Sequence, residues 1–559
     1  MPIVVGTRDL IHDYLGGFVM KRGFGIFCML FVLGAAPPSK IEHNGMVFSD
    51  HWQARQAGQE ILNKGGNAVD AAIATVLASG VVQPAGSGLG GGGFAIYRNA
   101  DGSVLASLDF RERAPKISKQ NMYDNASSRD GGLAVAIPME SAGLIELHKR
   151  YGSLPLKVIA KPAITLAKKG FVVGNHLEKA FAKIKNPEFN LDFWGETSSP
   201  KRGDILKRPR LAKVLQSWVS SKGEVLRTGW AAKDLVESVQ ANGGILSLED
   251  MDAHQPKIRP VVQGEYRGWK IWSMGPPSSG GTVLIQVLSV LDGYDIQALG
   301  HNSSALLHLY AESFQHAFAD RAHFMGDPDR VDVPVKELLS QERIDSVRAS
   351  FDPNQTHEPS VYGAPYDAGM DDGTQHISII DAQGNSIALT TTINTHFGSK
   401  VVGEKSGIVL NNEMDDFVAK PGVPNAYGLV GSYANAVAPG AVPLSSMSPT
   451  LLESPDGKTR IAIGASGGPF IISSTLQVII NLIDFGMDPN LAVSVPRMHH
   501  QWQPQKLFLD KGFPKDIHLL LQAKGHTTVE MSFYSSVQVV VQKGNVFIGA
   551  QDPRKDEYR

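Results

Sequence analysis

One short segment of this 559-residue chain is the most informative about its fold: Asp372-Gly373-Thr374-Gln375-His376-Ile377-Ser378. Threonine is a weak nucleophile unless a base takes its proton, and a cut just before Thr374 would supply that base as the new α-amino group. Gly373 suits such a cut because it has no side chain to shield its carbonyl and tolerates strained backbone angles. The segment therefore predicts cleavage between Gly373 and Thr374, with Thr374 as the nucleophile.

The residues that follow Thr374 predict a β-hairpin. His376 to Ile380 and Ser386 to Thr392 have strand character, and the Asp-Ala-Gln-Gly-Asn sequence at 381–385 reads as a turn. Threonine favours strands in any case, so a Thr-rich hairpin without chemistry is the simpler interpretation of this segment taken alone.

The register of this hairpin decides which side chains meet. If Ile380 pairs with Ser386, Thr374 lies opposite Thr392, at a separation where side chains on paired strands interact. A two-residue turn at Gln383-Gly384 would instead shift the pairing by one residue. In the first register, Asn394 should share the face of Thr392.

The composition is that of an ordinary globular protein and argues against nucleic-acid binding. Hydrophobic residues make up 42% and charged residues 19% of the chain, as in ordinary globular proteins. The net charge of −2 offers no electrostatic footprint for nucleic acid. The length allows a large core and two or more lobes.

The first 36 residues are predicted to be a signal peptide, with Met20 as a possible true start. Lys21-Arg22 precede the apolar run Phe24–Leu33 and the small residues at 34–36. A buried N-terminal strand or helix is the alternative interpretation. The single cysteine, Cys28, lies in this segment, so the mature protein would have no disulfide or thiol chemistry. These features predict a secreted or periplasmic protein with no membrane span after processing.

Local patterns predict further elements. Helices are expected at 53–64, 68–78, 156–169, 304–325 and near 473–485, and strands at 94–97 and 104–110. Residues 130–350 read as mostly helical, and 353–372 as a flexible segment leading to the cut.

Six sequence blocks, in order, carry a resemblance to a known family. The chain resembles γ-glutamyltranspeptidases, which belong to the N-terminal nucleophile hydrolase superfamily, from about Gly45 to Arg554. The blocks are Gly65-Gly66-Asn67-Ala68-Val69-Asp70-Ala71-Ala72, Gly90 to Phe94, Asp109-Phe110-Arg111-Glu112, Leu410 to Phe417, Pro443 to Pro449, and Gly464-Ala465-Ser466-Gly467-Gly468.

The resemblance implies an α+β fold, a four-layer αββα sandwich. It implies a precursor that cleaves itself into a large subunit, 37–373, and a small subunit, 374–559, which form one core as a heterodimer.

The resemblance also implies a set of site residues. Thr374 would be the nucleophile and Thr392 its hydrogen-bonding partner, while the backbone N–H groups of Gly467 and Gly468 would stabilise the oxyanion. The remaining residues would bind substrate: Arg111, Ser445 and Ser446 at the α-carboxylate, Asn394, Glu413 and Asp416 at the α-ammonium, and Tyr427 in a lid loop at 421–428. No cofactor and no metal are expected, and His499-His500 lack the accompanying ligands of a metal site.

The function implied is γ-glutamyl transfer and hydrolysis, with glutathione and related γ-glutamyl compounds as donors and water, amino acids or peptides as acceptors. Two positions depart from the family pattern: Gln375 stands where many members have a second threonine, and Glu413 where some have glutamine. The alternatives are a related acylase that cleaves glutaryl or polyglutamate amides, and a non-catalytic secreted binding protein.

Overall fold

The computed structural model describes residues 40–555 except 43, 185, 254, 364–372 and 419–430. The predicted signal peptide, the end of the predicted flexible segment, and the loop that contains Tyr427 lie outside the described residues.

Short strands are spread along the whole described chain. They are β1 (Lys40–Glu42), β2 (Gly45–Ser49), β3 (Gly92–Arg98), β4 (Leu105–Phe110), β5 (Phe171–Val172), β6 (Ile205–Leu206), β7 (Lys257–Arg259), β8 (Val261–Tyr266), β9 (Trp269–Met274), β10 (Gln375–Asp381), β11 (Ser386–Thr392), β12 (Thr450–Glu453), β13 (Thr459–Ser466), β14 (Met498–His499), β15 (Leu507–Asp510), β16 (Thr528–Met531), β17 (Ser536–Lys543) and β18 (Val546–Gln551).

Most helices lie before Thr374. They are α1 (Trp52–Asn63), α2 (Ala68–Val82), α3 (Glu140–Tyr151), α4 (Leu156–Ile159), α5 (Lys161–Lys169), α6 (Asn175–Ala182), α7 (Pro187–Trp194), α8 (Pro209–Ser221), α9 (Trp230–Ala241), α10 (Leu248–Ala253), α11 (Gly280–Leu291), α12 (Ile296–Leu299), α13 (Ser304–Phe324), α14 (Val335–Leu338), α15 (Gln341–Ser350), α16 (Pro359–Tyr362), α17 (Phe470–Ile483), α18 (Pro489–Ser494) and α19 (Lys515–Ala523).

Two large sheets form the centre of the molecule. One has seven strands in the order β1-β18-β17-β13-β12-β9-β8, and the other has six in the order β2-β10-β11-β3-β4-β7. The predicted cut precedes β10, so each sheet contains strands from both sides of it. Cleavage would therefore leave both fragments held in the same sheets by backbone hydrogen bonds.

The two sheets face each other, and helices cover both outer faces. One apolar cluster joins the inner-face residues Phe94 and Ile96 of the six-stranded sheet to Ile463 and Val539 of the seven-stranded sheet, and extends to α11, α13 and α17. A second cluster packs α1, α2, α3, α5 and α8 on the other face of the six-stranded sheet. The four-layer αββα sandwich is therefore confirmed.

Local sequence signals explain several element boundaries. Helix α2 begins at a capping box in which Asn67 accepts the N–H of Asp70 and Asp70 accepts the N–H of Asn67. The helix predicted at 156–169 is split into α4 and α5 at Ala160, where Pro162 opens the second helix.

The prediction of a mostly helical stretch from 130 to 350 missed five strands, the two-residue strands β5 and β6 and the longer strands β7, β8 and β9. Strands β7 and β8 each lie at the edge of a large sheet, β9 lies next to β8, and β8 alternates between buried and exposed side chains. Edge strands are short and half-exposed, so their apolar pattern is weak. Among the described residues, none of the helices has the length and apolarity needed to cross a membrane.

Candidate active site

The hairpin β10–β11 has the predicted register. Ile380 pairs with Ser386 and Gln375 with Thr391, so Thr374 and Thr392 lie side by side with their hydroxyl oxygens 3.2 Å apart. The turn is held by Asp381, whose carboxylate accepts the N–H groups of Gln383 and Asn385 at 3.0 and 2.9 Å. The five-residue turn is confirmed, and the shifted register is wrong.

The backbone is strained at the predicted cut. Thr374 has a φ of +144°, which is unfavourable for a β-branched residue. A Cβ at Gly373 would lie 2.1 Å from the carbonyl oxygen of Asn394, so only glycine fits before Thr374. Both features support a scissile bond held under strain at this position.

One pocket contains nearly all of the predicted site residues. Its cavity volume is about 20 Å³. The predicted residues that line it are Arg111, Thr374, Thr392, Asn394, Glu413, Asp416, Ser445, Ser446 and Gly468. Gly467 is not a lining residue but adjoins Gly468; its φ is +118°, and a Cβ there would lie 2.7 Å from the Cα of Ser535. The placement of Tyr427 stays a prediction because this residue lies outside the described part of the chain.

The pocket wall opposite the threonines carries buried charges. Arg111, at the end of β4, pairs with Glu413 and donates to Asp416 at 2.6 Å. Burial alone would lower the pKa of Arg111, but the two acids outweigh it and raise that pKa above its usual value. Burial raises the pKa of Glu413 and of Asp416, and the charge of Arg111 partly offsets this.

Asparagine side chains hold the acidic turn 413–416 in place. Asn411 accepts the N–H of Glu413 at 3.0 Å and donates to the carbonyl of Gly90 at 2.7 Å. Asn435 donates to the carbonyl of Asp416 at 2.7 Å and accepts the N–H of Leu444 at 2.9 Å. Glu413, Asp416 and the neighbouring serine loop, which runs from Pro443 to Pro449, are therefore positioned by one set of hydrogen bonds.

The serine loop is anchored through its backbone, which leaves a hydroxyl available. The N–H and hydroxyl of Ser279 donate to the carbonyl of Ser445 at 2.9 and 2.7 Å. The Ser445 hydroxyl accepts the N–H of Met447 at 3.0 Å. The buried Ser446 hydroxyl makes no hydrogen bond within the described residues and faces the pocket. It is thus available to a ligand.

The sequence did not single out two buried charged residues beside the site. Glu112 lies behind Arg111, and burial raises its pKa to about 7. Glu112 ends the Asp109–Glu112 block, so the sequence shows that it follows Arg111 but does not show that its side chain is buried. Lys555 reaches the carbonyl oxygen of Thr374 from the other end of the chain, and no local signal marks it.

Within the described residues, a group with metal-ligand geometry lies outside the pocket. His308, Glu312 and His526 place their ligand atoms within 4.8 Å of one another. The two histidines already hydrogen-bond each other at 2.7 Å, and Glu312 accepts from Thr356 and Tyr362. His499 and His500 are not part of this group; they bond to Ser473 and to the N–H of Trp502.

Comparison with known proteins agrees with this geometry. A model of the gamma-glutamyltranspeptidase family matches residues 54–559. The glutathione hydrolase proenzyme of Escherichia coli (strain K12) is 39% identical over 528 residues, covering 91% of this chain and 90% of that protein. The proenzyme of the same name from Pseudomonas sp. (strain A14) is 36% identical and covers 95% of this chain and 96% of its own.

Solved structures share the fold. A cephalosporin acylase from Bacillus halodurans superposes with a TM-score of 0.82 at 26% identity, covering 95% of this chain and 98% of its own. The Helicobacter pylori gamma-glutamyltranspeptidase has a TM-score of 0.55 at 37% identity, covering 59% of this chain and 97% of its own.

The protein has two facing sheets between helical layers, and Thr374 directly precedes the interior strand β10. This is the architecture of an N-terminal nucleophile hydrolase. The family model spans almost the whole described chain, and two relatives are more than a third identical to it over at least 90% of their lengths. The chain belongs to the γ-glutamyltranspeptidase family, as the sequence blocks predicted.

Proposed function

We propose that this protein is a self-cleaving γ-glutamyl transferase and hydrolase that acts on glutathione and related γ-glutamyl compounds through Thr374. The observation that carries the proposal is that one pocket holds both a paired threonine and a buried Arg111–acid cluster. The first supplies a nucleophile, and the second supplies charges that match an amino acid zwitterion. A non-catalytic binding protein would need only the second.

Self-cleavage starts from the uncut chain. The Thr374 hydroxyl attacks the carbonyl carbon of Gly373, the peptide C–N bond breaks, and the proton passes to the departing nitrogen. Residues up to Gly373 are then held as an ester on Thr374 Oγ1. Water hydrolyses this ester and leaves a carboxylate on Gly373 and a free α-amino group on Thr374. The large and small subunits would be 37–373 and 374–559.

Turnover uses the freed amine as the base. An α-amine has an unperturbed pKa of roughly 7.7–8.0, so it is available near neutral pH. It takes the hydroxyl proton as Thr374 attacks the γ-carbonyl of the donor, while N–H groups at Gly467-Gly468 receive the oxyanion. The donor's amine leaves with the proton. Water or the amine of an acceptor then breaks the γ-glutamyl ester and regenerates Thr374.

Recognition of the donor follows from the pocket charges. The planar guanidinium of Arg111 can bind an α-carboxylate through two parallel hydrogen bonds. The hydroxyls of Ser445 and Ser446 lie on the same pocket wall, and that of Ser446 has a free donor. Glu413 and Asp416, with Asn394, receive the α-ammonium. A glutaryl group lacks this ammonium, so the buried acids favour γ-glutamyl donors over the glutaryl alternative.

The segments outside the described residues complete the proposal. The pattern at 1–36 supports export as a signal peptide, and hence a periplasmic or secreted enzyme. The 421–428 loop with Tyr427 would act as a lid over the acyl-enzyme.

A donor comparison tests this function. The purified protein is assayed with γ-glutamyl-p-nitroanilide and with glutaryl-p-nitroanilide, alongside T374A as the inactive control. The proposal expects a kcat/KM at least about 100-fold higher for the γ-glutamyl donor, because the ammonium contacts are buried and charge-assisted. Equal activity on both donors, or retained activity in T374A, would contradict it.

A further inference from the structure

The C-terminal end of the described chain places a buried lysine against the nucleophile. Lys555 is 3% exposed. Its Nζ donates to the carbonyl oxygen of Thr374 at 3.2 Å and to the hydroxyl of Ser466 at 2.8 Å. Ser466 ends β13, directly before Gly467-Gly468. Lys555 therefore links the residue that attacks to the segment proposed to receive the oxyanion.

Three ion pairs fix the segment that leads to Lys555. Asp552 pairs with Arg497 at 2.6 Å, and both side chains are fully buried. Arg554 pairs with Asp510 and, at 3.0 Å, with Asp552. A lysine side chain ordinarily has considerable rotational freedom, so burying it costs conformational entropy. The ion pairs of Asp552 and Arg554, just before Lys555, restrict the backbone at the base of this side chain.

The charged and titratable groups around Lys555 come from several elements. Buried Asp50 faces it from the end of β2; its carboxylate accepts the N–H of His376 at 3.1 Å and the amide of Gln538 at 2.7 Å. Burial raises the pKa of Asp50, and the charge of Lys555 opposes this. Four histidines surround this region, and burial lowers the pKa of each: His51, His176, His376 and His396. These lowered pKa values leave the four histidines neutral near pH 7.

The contact between Lys555 and the carbonyl of Thr374 matters most after the chain is cut. Before cleavage, Thr374 is tethered on both sides by peptide bonds. Afterwards only Gln375 holds its backbone, and the contact with Lys555 is a second anchor. A positive charge near an amine also disfavours protonation of that amine. The α-amino group of Thr374 would then remain a free base at a lower pH than it otherwise could.

We propose that Lys555 is a positioning residue for the mature enzyme, holding the carbonyl of Thr374 and keeping its freed α-amine unprotonated. This assignment rests on the proposed role of Thr374 as an N-terminal nucleophile. Lys555 touches neither the donor nor the scissile bond, and it acts through Thr374.

The test compares K555M, which removes the charge, with K555R, which keeps it. K543M is the matched control, because Lys543 is exposed at the end of β17. Each variant is first checked by intact mass for the cut at Thr374. Then kcat and KM for γ-glutamyl-p-nitroanilide are measured from pH 5.5 to 10, together with Tm. If K555M does not fold, K555Q replaces it, since its amide still donates but carries no charge.

The proposal expects K555M to be cut and its acid-side apparent pKa for kcat/KM to rise by about one unit. Near pH 7, the fold decrease in kcat should be several times larger than the fold increase in KM. K555R and K543M should keep the wild-type profile. An unchanged profile in K555M, an equal loss at every pH, or a folded K555M that stays uncut would overturn it. The proposed function has a separate test: an active or cleaved T374A variant would contradict it, whatever the Lys555 variants show.

Discussion

Arg111 Nη2 lies 2.6 Å from Asp416 Oδ2, and the same guanidinium pairs with Glu413. The cation proposed to bind the donor's carboxylate is thus bonded to the acids proposed to bind its ammonium. A zwitterionic donor can insert between them and replace each internal pair by an external one. Binding is then an exchange of ion pairs, so it needs no uncompensated buried charge.

Arg111→Lys tests this exchange. Lysine keeps the charge but cannot form two parallel hydrogen bonds, and its shorter reach would leave one acid without its partner. KM for γ-glutamyl-p-nitroanilide should rise at least about tenfold, which is ~1.4 kcal/mol. Steady-state kinetics measure this, and Tm measures the cost to the fold. Unchanged KM would show that Arg111 does not bind the carboxylate.

Ser446→Ala should weaken donor binding without weakening the fold. Within the part of the chain that the structure describes, the Ser446 hydroxyl makes no hydrogen bond, so its loss breaks none there. A hydrogen bond to a charged group contributes about 1.5–3 kcal/mol, so KM should rise about tenfold or more. Ser448→Ala is the matched control, because that hydroxyl is also buried and unpartnered but does not line the pocket. Equal effects of the two variants on KM would refute the assignment.

Thr392→Val should slow chemistry while leaving the hairpin intact. Valine has the shape and strand preference of threonine but lacks the hydroxyl that lies 3.2 Å from Thr374. One hydrogen bond is worth about 1 kcal/mol, so self-cleavage and kcat should each fall about fivefold. T392S keeps the hydroxyl and should stay near wild type. Normal rates in T392V would remove Thr392 from the mechanism.

Glu140 predicts a pH dependence of stability. Burial raises its pKa from 4.5 to about 8, and the hydroxyl of Thr391 partly opposes this. A raised native pKa gives stability that is fully present below about 4.5 and is lost as pH rises to about 8. The Tm of wild type should therefore fall relative to that of E140Q across this window. E146Q, on the same helix, is the control, and a pH-independent difference for E140Q would contradict the argument.

Local chemistry made much of the site predictable. The Asp381–Asn385 turn encodes its own register through the side chain of Asp381, and so brings Thr374 to Thr392. Blocks around Arg111, the 413–416 turn and the serine loop were recognisable as units. The structure places these residues around one pocket, and their roles there stay predictions.

The remaining features depend on contacts that no short pattern contains. Lys555 hydrogen-bonds Thr374, which is 181 residues away in sequence, and Gln538 hydrogen-bonds Asp50, which is 488 residues away. The edge strands β7 and β8 are defined by their sheet partners more than by their own residues. The full burial of Glu112 and its raised pKa follow from the packing around Gly92, where a Cβ would lie 2.8 Å from its carboxylate.

The most direct test of the account is the intact mass and N-terminal sequence of the purified protein. The account predicts two fragments that stay associated, the smaller of which begins at Thr374. In T374A the chain should remain single. A wild-type chain that stays uncut through long incubation, or a cut at any other residue, would contradict Thr374 as the nucleophile.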